Sequence, residues 1–191
     1  MTKKLQVFIS STFRDLRDKR QAAVAAVLMA GHIPAGMELF TAEDRTQLEV
    51  IRRWIRESDV YLLIVGARYG AIESESGLSY TELEFNYATS EGKPFFTLVL
   101  SDDAIETKRA AGLADERPEA ADRLTAFRSR ALSTMSGRPT PALVALTSRR
   151  AASRAAADEG KLVLPDRAAA VRRPNRLLNN RDSSSSTRHH A

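Results

Sequence analysis

The stretch that decides the fold is DVYLLIVG, residues 59–66. Between Asp59 and Gly66 it carries an unbroken run of six apolar residues. A run of this length, bounded by a charge and a glycine, is typical of a strand that is buried on both faces. Such strands occur in parallel sheets that are covered by helices on both sides. The stretch therefore predicts an α/β fold and is the strongest strand signal in the chain.

The sequence on either side alternates between strand and helix patterns. LQVFIS (5–10), HIPAGM (32–37) and PFFTLVL (94–100) predict three further strands, of which the second is weak. The spacing of apolar residues predicts helices over 16–28, over 48–55 and from Ser79 to Glu91, with glycines after the first and the third. Right-handed crossovers leave few arrangements for such a chain, so we expect a flavodoxin-like doubly wound parallel sheet of four to five strands.

The pattern weakens after residue 101. Residues 117–132 predict an amphipathic helix, and PALVAL (141–146) is interpreted as a fifth strand or a short helix. Residues 1–110 carry 14 Lys/Arg and 16 Asp/Glu (net −2), whereas the remainder carries 15 and 8 (net +7). We therefore expect an α/β domain over residues 1–135. Residues 136–191 form a basic Arg/Ala/Ser-rich tail that we expect to be helical, largely disordered, or degenerate through a frameshift.

The composition excludes several classes of protein. The chain has no cysteine, which excludes disulfides, thiolate catalysis and cysteine-ligated zinc. Its three histidines lack metal-ligand spacing, so we predict no metal, and no glycine-rich phosphate motif is present, so we predict no bound cofactor. No stretch approaches the ~20 apolar residues of a membrane span, and the N-terminal apolar run is too short for a secretory signal. We expect a cytoplasmic protein with no membrane partner.

Polar residues follow the predicted strands at the edge where an open parallel sheet binds its ligands. These are Ser10, Ser11 and Arg14 after the first strand, Glu38 after the second, and Gly66, Arg68 and Tyr69 after the third. Each also has a structural interpretation, because hydroxyls cap helices, a loop glutamate is often solvated, and glycines shape turns. We expect a ligand site at this edge, with Arg68 holding a phosphate or a carboxylate.

GLSYTELEFNYA (77–88) places two glutamates on the third helix, two positions apart. Ser79 and Glu82 have the spacing of a capping box, in which each side chain accepts a hydrogen bond from the other residue's amide. Two residues turn a helix by about 200°, so Glu84 points the other way, onto the apolar stripe. A buried carboxylate needs a partner or a function. Both stay open for Glu84: a structural role, paired with Arg68 or reaching solvent, and a functional role.

Four stretches, in this order and spacing, resemble one known family. They are VFISSTFRDLRDKR (7–20), AGHIPAGMELF (30–40), SDVYLLIVGARYG (58–70) and GLSYTELEFNYA (77–88). The family is domain of unknown function 4062; the resemblance covers about residues 4–100, with LTAFRSR (124–130) as a further segment. That family resembles in turn the TIR and nucleoside 2-deoxyribosyltransferase group, which shares a flavodoxin-like sheet and a catalytic glutamate after strand three. Glu84 aligns with that glutamate.

The resemblance implies a TIR-like domain that binds a nucleotide or nucleoside and hydrolyses its N-glycosidic bond, with NAD as a candidate substrate. It implies that Glu84 stabilises or attacks the oxocarbenium-like glycosyl centre. The implied substrate-binding residues are Ser10, Ser11 and Arg68 at the ribose or phosphate, and Tyr69 or Tyr80 stacked on the base.

Two other interpretations stay open. Members of the family often precede other regions in large signalling or defence proteins, which implies a non-catalytic interaction module that binds protein partners or self-associates. The arginine-rich tail could contact nucleic acid, but it lacks the aromatic residues that stack on bases, so we do not expect a nucleic-acid partner.

Overall fold

The computed structural model describes residues 3–36, 47–134 and 162–163. In these residues the chain forms β1 (Gln6–Ser11), α1 (Arg17–Met29), β2 (Ile33–Ala35), α2 (Gln47–Glu57), β3 (Val60–Val65), α3 (Tyr80–Ser90), β4 (Phe95–Leu100), α4 (Asp102–Ala110), α5 (Pro118–Ser133) and β5 (Leu162–Val163). Within the described ranges, none of the helices is both long and apolar enough to cross a membrane.

The strands form one sheet in the order β2-β1-β3-β4-β5. β1 to β4 pair in parallel, and β5 adds to β4 in the antiparallel direction. This is the strand order of the flavodoxin-like doubly wound fold, so the predicted fold class is confirmed. β3, the strand that decided the fold, pairs on both sides and is buried at every position.

Helices cover both faces of the sheet. α2, α3 and α5 pack on the face that carries Phe8, Tyr61 and Leu63, while α1 and α4 pack on the face that carries Val7, Ile9 and Leu62. Both clusters consist mainly of aliphatic and aromatic side chains, whose burial is the main stabilising contribution to such a fold. The first face also carries buried polar groups near the end of β1, and these define the candidate site below.

The region after β4 differs most from expectation. α4 was not predicted, because only Ala104 and Ile105 are buried and the apolar stripe is short. Its end signals were nevertheless present: Ser101 caps the helix by accepting a hydrogen bond from the Ala104 amide (3.3 Å), and Gly112 follows with a φ of +68°. α5 confirms the predicted amphipathic helix. PALVAL (141–146) lies outside the described residues, as does the predicted tail apart from the two residues of β5.

Candidate functional site

Glu84 lies on the second turn of α3 with its side chain against the sheet. Only 3% of the residue is exposed, which confirms the predicted orientation toward the apolar stripe. Ser10 Oγ donates a short hydrogen bond to Glu84 Oε2. Because Ser10 is the penultimate residue of β1, the carboxylate lies near the edge of the sheet where this fold binds ligands.

Burial is the dominant influence on the Glu84 carboxyl. It raises the pKa of Glu84 from the ordinary 4.5 to about 7, against the opposing effects of the Ser10 hydrogen bond and the positive charge of Arg20. Within the described residues Glu84 takes part in no salt bridge of 4 Å or less. A carboxyl of this kind exchanges its proton near neutral pH, which is the range that acid–base and nucleophilic chemistry uses.

Arg20 contributes a positive charge to the site from the opposite face of the sheet. It lies on the buried stripe of α1, only 5% exposed, and its Nη1 donates to Ser11 Oγ at 3.0 Å. Arg20 was not predicted as a site residue. The available signal was an arginine at an apolar position of the helix, four residues after the buried Leu16, because a cation there needs a partner.

The loop between β1 and α1 is tied to the loop after β3. Asp15 accepts hydrogen bonds from Thr12 Oγ1 (2.6 Å) and from the Ala67 amide (2.7 Å). A Cβ at Gly66 would lie 2.2 Å from the Asp15 carboxylate, so this position admits only glycine without rearrangement. The structure thus gives Gly66 a packing role, and its role in binding a substrate stays a prediction.

The tip of the same loop is open. Phe13 is 59% exposed, and Arg14 is exposed and makes no ion pair with any described residue. The role of Arg14 in binding a ligand stays a prediction. Phe13 was not predicted, although an aromatic residue in a polar loop is an available signal.

Arg68 does not pair with Glu84, so that structural interpretation is wrong. Its Nη2 lies 3.0 Å from Asp115 Oδ1, and its Nη1 donates to the Ala114 carbonyl at 3.3 Å. Asp115 also accepts from the Tyr69 amide at 2.6 Å. Arg68 is thereby directed toward the α4–α5 connection rather than toward the carboxylate.

Glu82 has a full set of partners. Ser79 accepts from the Glu82 amide at 3.2 Å, which confirms half of the capping box. The other half is wrong: the Ser79 amide donates to Tyr69 Oη (3.3 Å), and Tyr69 donates in turn to Glu82 Oε2 (2.6 Å). Arg130 of α5 donates to the second carboxylate oxygen of Glu82. The phenol of Tyr69 therefore stands between the two groups that a capping box joins directly.

The remaining residues that were predicted to bind a substrate do not all lie near Glu84. Tyr69 is only 2% exposed, so its ring offers no open face to a base in this conformation, while Tyr80 is half-buried against the core. Glu38 lies outside the described residues. The structure brings together Ser10 and Glu84, directs the Ser11 hydroxyl to Arg20 on the opposite face of the sheet, and groups Arg68 and Tyr69 elsewhere. Among the described residues no group of three His, Asp or Glu side chains is placed to hold a metal ion.

Comparison with known protein families identifies the family of this chain. The family model described as "Domain of unknown function (DUF4062)" matches residues 6–140, which is 135 of the 191 residues. The chain belongs to the DUF4062 family. Among curated proteins, none matches this sequence.

In the described part of this DUF4062 domain, the burial of the Glu84 carboxyl is thus offset by the Ser10 hydroxyl and the Arg20 guanidinium. When ionised, Glu84 would place a negative charge of low hydration beside the sheet edge, where it can stabilise developing positive charge. When protonated, it would be a weak acid with a pKa of about 7. Either form is useful to bond cleavage at a glycosyl carbon, which commonly uses carboxyl groups in both states.

Proposed function

We propose that this DUF4062 domain is a TIR-like domain that binds a nucleotide or nucleoside and hydrolyses its N-glycosidic bond, with NAD as a candidate substrate. The reaction breaks the bond between the anomeric carbon and the base nitrogen. Water supplies a hydroxyl to the carbon. Its proton goes to the base when a neutral nucleoside is cleaved, and to solvent when neutral nicotinamide leaves the cationic NAD. Glu84 would stabilise the positive charge that develops on the sugar, or form a transient bond to it.

One observation carries the proposal: a buried carboxyl with a pKa near 7 lies beside the end of β1 without an ion-pair partner among the described residues. Structural glutamates avoid this arrangement, because an unpaired charge in a low-dielectric core is costly. Strongly perturbed carboxyls are common at functional sites for the same reason. The alignment of Glu84 with the catalytic glutamate of the resembling group gives independent support.

The binding groups follow from the same edge of the sheet. Ser10 and Ser11 supply hydroxyls at the end of β1, and Arg14 supplies an exposed cation in the adjoining loop. A guanidinium suits a nucleotide phosphate, since it can bind two oxygens at once. A cytoplasmic location and a role in signalling or defence belong to the same proposal.

A second candidate, a non-catalytic interaction module, is favoured by one surface. Leu28, Met29 and Ile33 are 57%, 66% and 49% exposed and lie on either side of the turn from α1 to β2. Three large apolar side chains so close together are the kind of feature that protein partners cover. This candidate predicts that Glu84 can be replaced without loss of function.

The test is base release by the full 191-residue chain, followed by proton NMR. The protein is incubated with NAD and with a panel of ribo- and 2′-deoxyribonucleosides, beside Glu84→Gln and the matched control Glu82→Gln. We expect wild type and Glu82→Gln to release free base, and Glu84→Gln to be slower by a factor of about 100 or more. Rates are compared per folded molecule, measured by circular dichroism.

Two outcomes would overturn the proposal. One is no base release from any compound in the panel by folded wild-type protein. The other is equal release by wild type and Glu84→Gln. Either result would move the assignment to the interaction module.

A further inference from the structure

The hydroxyl of Tyr61 on β3 is buried without a hydrogen-bond partner among the described residues. The residue is 1% exposed, and its ring stacks on Phe8 of β1 with centroids 5.9 Å apart and an interplanar angle of 7°. A buried hydroxyl that donates to nothing is uncommon in proteins and calls for a physical reason. Its position next to Ser10 and Glu84 supplies one.

The sheet register brings Tyr61 close to Ser10. Ser10 pairs with Leu63, and Tyr61 lies two residues earlier on the same face of β3, diagonal to Ser10 across the strand pair. Burial raises the pKa of Tyr61 well above its ordinary value, the negative charge of Glu84 raises it further, and the Ser10 hydroxyl opposes both. The phenol therefore keeps its proton at every pH at which Glu84 titrates.

The hydrogen atoms in this cluster can be counted. Ser10 has one hydroxyl proton, and it is donated to Glu84. The Ser10 oxygen still has a free lone pair, because a hydroxyl accepts as well as donates. Tyr61 has one proton to give and no acceptor of good geometry among the described residues, and the free lone pair of Ser10 on the neighbouring strand is an acceptor for it.

The other glutamate of α3, Glu82, is hydrogen-bonded directly to a buried tyrosine. Tyr69 donates directly to Glu82 at 2.6 Å. Each buried glutamate of this helix thus has a buried tyrosine nearby, one bonded to its carboxylate and one separated from it by a serine.

We propose that Tyr61 is a positioning residue for Glu84 that acts through Ser10: its O–H donates to Ser10 Oγ when Glu84 is ionised, which strengthens the Ser10 hydrogen bond to the carboxylate. Hydrogen bonds in a chain polarise one another, so a donor behind Ser10 stabilises the charge in front of it. The value of this relay for catalysis rests on the proposed function, but its existence does not.

Among the described residues, one other charged group acts on Glu84 in the same direction, and three others near α3 are engaged elsewhere. On α1, the positive charge of Arg20 lowers the pKa of Glu84. From α2, the cations Arg52 and Arg56 contact the ring and the hydroxyl of Tyr87 instead. On α3 itself, Glu82 is engaged by Arg130.

The test is a double-mutant cycle read by carbon-13 NMR titration of the Glu84 carboxyl in the full chain, with no substrate present. The signal is assigned by its absence in Glu84→Gln. We expect Tyr61→Phe to raise the titration midpoint of Glu84 by about 0.5 pH unit or more, since the ionised form loses a cooperative donor. In a Ser10→Ala background the same change is expected to have no effect, because the path through the hydroxyl is already cut.

Tyr69→Phe is the matched control and is expected to leave the Glu84 midpoint unchanged. An unshifted midpoint in Tyr61→Phe would overturn the relay, and so would an equal shift in both backgrounds, since Tyr61 would then act without Ser10. In wild type, the Cζ signal of Tyr61 is expected to follow the Glu84 titration, and a flat response would contradict the relay without any variant. Because the titration needs no turnover, a failure of the relay is distinct from a failure of the proposed activity.

Discussion

The two glutamates of α3 lie two residues apart and are both buried, yet their surroundings differ in kind. Glu82 receives hydrogen bonds from the phenol of Tyr69 and the guanidinium of Arg130. Glu84 receives one from the neutral hydroxyl of Ser10, and its pKa is raised to about 7. The Glu82 carboxylate is thus stabilised by hydrogen bonds from two side chains, whereas burial makes ionisation of Glu84 unfavourable. This difference is the reason why we propose Glu84, and not Glu82, as the functional residue.

The largest expected effect is a gain of stability in Glu84→Gln. The folded pKa of Glu84 is about 7 and the ordinary value is 4.5, so ionisation opposes folding. The stability associated with the protonated carboxyl is complete below about pH 4.5 and is lost as the pH rises through 7. At pH 8 the neutral glutamine avoids this loss, and we expect a gain on the order of 3 kcal/mol, from about 1.4 kcal/mol per pH unit.

Urea unfolding of wild type and Glu84→Gln at pH 4.5, 6 and 8 checks this expectation. The two proteins should be similar at the lowest pH and diverge as it rises. Glu82→Gln, the matched control, should be less stable than wild type at pH 8. A loss of stability in Glu84→Gln at pH 8 would show that both glutamates stabilise the fold, and would contradict the proposed difference between Glu82 and Glu84.

A smaller effect is expected when the partner of Glu82 is removed. Arg130→Met breaks the ion pair with Glu82 and removes a guanidinium that lies 6.0 Å from the Phe85 ring and 5.7 Å from the Phe127 ring. Because the Arg130 side chain is 44% exposed, solvent screens the pair, and we expect a loss of about 1–2 kcal/mol at pH 7.

Arg109→Met provides the comparison for Arg130→Met, since Arg109 pairs with Glu106 on the surface of α4, where both side chains are more than half exposed. Its loss should cost less than about 0.5 kcal/mol in the same urea titration. Equal effects of the two changes would mean that the Glu82 network contributes no more than an ordinary surface pair.

The smallest expected difference in stability is between Tyr69→Phe and Tyr61→Phe. Tyr69→Phe leaves the Ser79 amide and the Glu82 carboxylate each short of a partner, so we expect a loss of about 1 kcal/mol. At pH 5, where Glu84 is protonated and the proposed relay is not formed, Tyr61→Phe removes a hydroxyl that has no partner among the described residues, so thermal unfolding should change by less than about half of that amount. A larger loss in Tyr61→Phe than in Tyr69→Phe would reverse the comparison.

The sequence predicted the fold well because local and global signals agreed. The apolar runs of β1, β3 and β4 and the glycine-terminated helices α1 and α3 leave one common doubly wound arrangement. α4 escaped detection because a nine-residue helix with two buried side chains has almost no periodicity. The residues at its ends, Ser101 and Gly112, were the sequence signals that could have predicted this helix.

The site was predictable only in part, and for a physical reason. Helical geometry alone separates Glu84 from Glu82, but it cannot say which cation meets which carboxylate. Arg68 pairs with Asp115, and Arg130 pairs with Glu82, 48 residues along the chain. Such contacts depend on how distant elements pack, and a strand interior such as that of β3 gives no sign that Tyr61 carries an unpartnered hydroxyl.

The measurement that tests this account most directly is the titration of the Glu84 carboxyl in the wild-type chain by carbon-13 NMR. The account predicts a midpoint near pH 7, which would establish that the fold holds an ionisable carboxyl in its apolar layer beside Ser10. A midpoint near the ordinary 4.5 would contradict it, because Glu84 would then be as well accommodated as any surface glutamate and would need no functional explanation.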